Sequence, residues 1–84
     1  MKFTVIWRPS AEAQLAELWT RADDRGVVSA AFDEIEVQLG ANAEKQGESR
    51  WGTTRILIKP PLAVYFDVSE RDRLATVWAV WRSK

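Results

Sequence analysis

The 84-residue sequence contains no cysteine and no histidine. The first absence excludes disulfide frameworks and thiolate nucleophiles. Together the two remove the usual zinc ligands and every histidine general base. Any catalysis must therefore use carboxylates, Lys, Arg, Tyr, Ser or Thr, and neither a metal nor a cofactor is expected. Net charge is absent as well, since 12 basic side chains balance 12 acidic ones, and this speaks against a dedicated nucleic-acid binder. Long apolar runs are also missing. The opening MKFTVIWRPS is broken by Thr4 and Arg8, too short an apolar run for a signal peptide, and no stretch approaches the roughly 20 residues of a membrane span. The expectation is one cytoplasmic domain over residues 1–84 that makes no contact with a membrane. A domain of this size buries only about 60% of its unfolded surface and is often helped by a partner.

What is present is a strong order of patterns. Lys2 to Trp7 alternates, with Phe3, Val5 and Trp7 on one face, as a half-buried strand does. Pro9 ends it and suits the first turn of a helix, where Glu12 meets the positive end of the dipole. Ala11, Leu15, Leu18, Trp19 and Ala22 form one stripe. After the turn Asp23-Asp24-Arg25-Gly26, Val28, Phe32, Ile35 and Leu39 recur at helical spacing and stop at Gly40. Residues 40 to 50, GANAEKQGESR, read as the longest loop. Three strands follow, at about Thr53 to Lys59, Leu62 to Val68 and Arg73 to Trp81, with Pro60-Pro61 marking the first turn. The last is apolar on both faces, as a central strand is. The predicted fold is α+β and two-layered, in the order β-α-α-β-β-β, an antiparallel meander covered on one face by a helical hairpin. Its expected core includes Leu15, Leu18, Phe32, Ile35, Leu39, Val64 and Phe66, with Trp7, Trp19 and Trp78 also inside.

Charge is unevenly distributed. Residues 9 to 49 carry three basic against nine acidic side chains, and residues 50 to 84 carry seven against three. Acidic helices over a basic sheet predict a dipole whose positive side faces phosphates. Equally, the balance serves solubility.

A strand, an acidic helical hairpin, Gly47-Glu48-Ser49-Arg50, Arg55-Ile56-Leu57, a Pro60 turn, a strand of V-x-[YF] type and a closing V-W-x-V-W strand together resemble the RelE/ParE superfamily of type II toxins, the plasmid stabilisation proteins of bacteria. The resemblance covers essentially the whole chain. It implies a growth-inhibiting toxin of a toxin-antitoxin system, neutralised by a cognate antitoxin, with the ribosome and its mRNA or DNA gyrase as target. In the family's ribosome-dependent mRNA endonucleases, an arginine follows the Pro-aromatic turn, another sits in the last strand, and a histidine or tyrosine stands near the C-terminus. Here the matching positions are Ala63, Ala79 and Arg82. The sequence therefore reads as a toxin lacking that nuclease site.

Two other readings stay open. One is an endoribonuclease rebuilt from Arg50, Arg55, Lys59 and Arg82, with Glu48 or Tyr65 in proton transfer. The other is a non-toxic module that binds an antitoxin or self-associates as a homodimer. Arg55 and Lys59 form either a phosphate-facing pair or part of an ordinary solvated face. Arg50 beside Trp51 brackets a nucleobase, or Trp51 is core. Tyr65 either donates to a ligand or sits half-buried against backbone. Trp81 is expected to be covered by a partner, with Arg55 and Lys59 at the rim of the same groove, favouring an acidic segment.

Overall fold

The computed structural model describes residues 2–83. The first strand, β1 (Thr4–Trp7), leads into two helices, α1 (Pro9–Arg21) and α2 (Arg25–Asn42). A 3₁₀ turn at Ala43–Lys45 then precedes β2 (Glu48–Trp51), β3 (Thr54–Lys59), β4 (Leu62–Ser69) and β5 (Leu74–Arg82). The strands form one sheet in the order β1-β5-β4-β3-β2. β1 runs parallel to β5, and every other neighbouring pair is antiparallel. The expected layers are present, and β5 is an inner strand between β1 and β4, with β4 at the centre of the sheet. The sheet is larger than expected, because the segment read as a loop contributes β2.

Pro9 occupies the first turn of α1 and Glu12 lies in that turn, as the sequence indicated. α2 continues past Gly40 to Asn42. The carbonyl of Gly40 is near the helix end and is taken by the backbone N–H of Phe3 at 2.7 Å, which ties the chain before β1 to the helix. Asp24 stands at the cap position of α2, but its side chain caps nothing; that carboxylate is used elsewhere.

Ala11 of α1 and Val28, Ala31, Ile35 and Leu39 of α2 join Leu57, Leu62, Val64, Phe66, Ala75, Val77 and Val80 in one buried cluster. Both helices therefore cover the same face of the sheet. Leu15, Leu18 and Phe32 pack against this cluster but are only partly buried. β5 shows how its VWAVW sequence serves two faces. Tyr65 lies opposite Ala79 while Phe66 lies opposite Val77, so Trp78 is an extra residue in a bulge. The bulge lets Val77 and Val80, three apart, both face the helices, and turns Trp78 and Ala79 to the other side.

Candidate functional site

Among the described residues no helix lies over the second face of the sheet, and aromatic rings collect there. The Tyr65 ring stacks on Trp78 with centroids 5.1 Å apart, and meets Trp81 at 4.7 Å and Trp51 at 5.3 Å. Cross-strand register explains the gathering, since Ala63 pairs with Trp81, Tyr65 with Ala79 and Ile56 with Tyr65. The small Ala63 and Ala79 leave room for the rings. Trp51 is 55% exposed and Ile58 50% exposed on this face. Trp51 is therefore not core, and Trp78 belongs to the open face. Trp19 is also outside the core, at 43% exposure; its indole donates to Ser29 Oγ at 3.1 Å, and the Arg25 guanidinium lies 4.7 Å from its ring. Trp7 is partly buried, packs on Phe32 with centroids 5.1 Å apart and donates to Glu36 Oε2 at 2.7 Å.

The predicted basic groups do not join the rings. Arg55 and Lys59 sit opposite Phe66 and Leu62, so they point to the helical side. Arg55 Nε donates to the Gln46 carbonyl at 2.7 Å and one terminal nitrogen to the Gly47 carbonyl at 3.0 Å, clamping the entry to β2. Lys59 Nζ is 3.8 Å from Glu34 of α2. Arg82, opposite Leu62, also turns to the helices and donates to both Asp24 oxygens, at 2.8 and 3.2 Å. Those hydrogen bonds lower the Asp24 pKa below the usual carboxylate range and raise that of Arg82. Arg50 is exposed at the far edge, 3.9 Å from Glu48. The expected positive sheet face is thus corrected: Arg55, Lys59 and Arg82 are spent on the helical side, and the open face is aromatic. Of the candidates for a rebuilt nuclease, Arg50, Arg55, Lys59, Tyr65 and Arg82, the structure brings none into a converging set. The groove predicted to join Arg55, Lys59 and Trp81 is divided between two faces.

Sequence reading missed one polar recess, of about 170 Å³, whose lining includes Glu44, Ser49, Arg55 and Glu70. One Glu44 oxygen is buried with no hydrogen-bond partner. The recess is small beside the roughly 300 Å³ lower bound of ligand pockets. No feature of the polar run GANAEKQGESR announced it. Among the described residues, no cluster of acidic side chains could hold a metal ion. Nor, among them, is any helix long and apolar enough to cross a membrane.

Neither a family model nor a curated protein sequence matches this chain. Solved structures do. A chain of the RelBE2 toxin-antitoxin complex from Mycobacterium tuberculosis superposes with a TM-score of 0.80 at 12% identity, over 98% of this chain and 92% of that one. A chain of the chromosomal ParDE system of P. aeruginosa gives 0.68 at 16% identity, over 99% and 98%. The fold is RelE/ParE-like. The isolated RelE toxin of E. coli is also similar, with a TM-score of 0.58 at 10% identity, covering 100% of this chain and 86% of that one. Within this RelE/ParE-like sheet, Ala63 and Ala79 both lie on the open face beside the ring cluster, where the resemblance placed the arginines of the nuclease branch.

Proposed function

We propose that this protein is the toxin of a toxin-antitoxin pair, and that it acts without the ribosome-dependent mRNA nuclease site of RelE-type enzymes. The observation that carries the first part is the likeness over nearly the full length to chains from two toxin-antitoxin complexes. Support for the second part comes from the open face. RNA cleavage through the 2′-hydroxyl needs cations around the crowded phosphate as well as a proton acceptor and donor. Ala63 and Ala79 provide no charge, Arg82 is neutralised by Asp24, and Arg55 is engaged with backbone carbonyls. The antitoxin is read as the occupant of the ring-lined face. Induced expression in a bacterial host should arrest growth, and co-expression of the neighbouring reading frame should relieve the arrest. Translation and DNA-supercoiling assays on the arrested cells then name the target. Undisturbed growth, with no complex formed, would remove the toxin reading.

A further inference from the structure

The sheet ends at β2, whose outer edge pairs with nothing among the described residues, and all four residues of β2 are exposed. At the opposite end, the approach to β1 is tied down by the Phe3 bond to Gly40. A free strand edge offers unpaired N–H and C=O groups to another strand, and proteins usually guard such edges with charge. The guard here has an unusual form. Glu48 and Arg50 have opposite signs, flank Ser49, and lie close enough for a 3.9 Å contact. Charges of one sign would repel a second copy, whereas this arrangement attracts it.

We propose that β2 pairs with β2 of a second copy of this chain, antiparallel about a two-fold axis at Ser49, to give a ten-stranded sheet. An antiparallel pairing centred on Ser49 sets Glu48 opposite Arg50 of the other copy, and the symmetry does so twice. The four charges alternate around the axis and form a network rather than an isolated surface pair. The seam also runs beside a recess of about 320 Å³ lined by Gly47, Glu48, Ile56, Leu57 and Ile58. Both the exposed Trp51 and the exposed Ile58 lie near this seam. A two-fold axis perpendicular to the sheet keeps the two ring-lined faces on one side, so the dimer doubles that surface without covering it. The inference rests on the β2 edge alone and is independent of the toxin reading.

Sedimentation of the purified chain at rising concentration and low salt tests the pairing. The wild type should shift toward dimer and return to monomer as salt screens the charges. Glu48→Arg and Arg50→Glu should each abolish the shift, since each variant sets like charges face to face. Mixing the two variants should restore it, because Glu48→Arg then opposes Arg50→Glu in one pair and the native Arg50 opposes the native Glu48 in the other. The double reversal should self-associate as the wild type does. Restoration by mixing also requires both variants to be folded, so loss through unfolding is separated from loss of pairing. Where either reversal unfolds the chain by circular dichroism, Glu48→Gln and Arg50→Gln replace them, and each should weaken association. A wild type that stays monomeric at millimolar concentration, or folded charge variants that associate unchanged, would overturn the proposal.

Discussion

At the scale of single residues, the structure separates side chains that the sequence treats alike. Phe32 and Phe66 both fall on apolar stripes, and the sequence expectation gives Phe32 a full core cost. Phe66 is fully buried, but Phe32 is only partly so and lines a cleft with Trp7 and Trp19. Phe66→Ala should therefore lower stability by about 3 to 5 kcal/mol, and Phe32→Ala by clearly less, as urea unfolding midpoints will report. Reversal of that order would move the centre of the core to the helix hairpin. Asp24 supplies a pH test. Its pKa is lowered in the folded chain, chiefly by the Arg82 hydrogen bonds. Its contribution is thus present above the ordinary carboxylate range and is lost as pH falls through the lowered folded value. The stability difference between wild type and Asp24→Asn should accordingly be small at neutral pH, as for an exposed pair, and should vanish in acid. A difference that persists well below the folded pKa would assign Asp24 some role other than holding Arg82.

Elements differ in how far the sequence reveals them. The two helices and the β3-β4-β5 meander were legible because burial writes itself as a period, and Pro60-Pro61 marks the turn between β3 and β4. β2 was illegible for the converse reason: Glu48, Ser49, Arg50 and Trp51 are all exposed, so no alternation exists to be read. What makes β2 a strand is its partner β3, together with the Arg55 clamp on the carbonyls before it. Gly47 contributes too, since it has a φ of +65° and any Cβ there would run into the Ile56 carbonyl. Arg55→Ala should loosen this edge while sparing the core. Amide exchange should rise in residues 46 to 51 and remain slow in β4 and β5. Equal acceleration everywhere would mean that Arg55 supports the whole fold. The assignment of faces failed at Arg55 and Lys59 because charged residues beside Leu57 suggest a solvated face. Peripheral positions under a helical layer can still hold charge, provided carbonyls or carboxylates reach them. The bulge at Trp78 was likewise hidden, since apolar residues on both faces of a strand conceal an extra residue. The candidate site suffered from both errors: Tyr65 and Trp81 meet on the open face, and Arg55 and Lys59 do not join them.

For the molecule as a whole, the distribution of charge and rings decides between kinds of partner. Purified protein on ribosomes should show no codon-positioned mRNA cleavage, and robust cleavage abolished by Arg82→Ala would establish a rebuilt site. The groove expected from sequence, rimmed by Arg55 and Lys59, called for an acidic segment and salt-sensitive association. With those cations on the helical side, a segment seated on Trp51, Tyr65, Trp78 and Trp81 gains mainly from burying apolar and aromatic surface. Its binding should show a negative heat-capacity change and little dependence on salt. Trp81→Ala should weaken it by tenfold or more, as loss of a central aromatic anchor does, whereas Lys59→Ala should leave affinity and association rate nearly unchanged. Because the partner binds the folded chain, saturating it should also raise the unfolding midpoint. Calorimetry with the product of the neighbouring reading frame checks all of these together. Strong salt dependence, with Lys59→Ala as damaging as Trp81→Ala, would place the partner on the helical side and return the ring-lined face to another role.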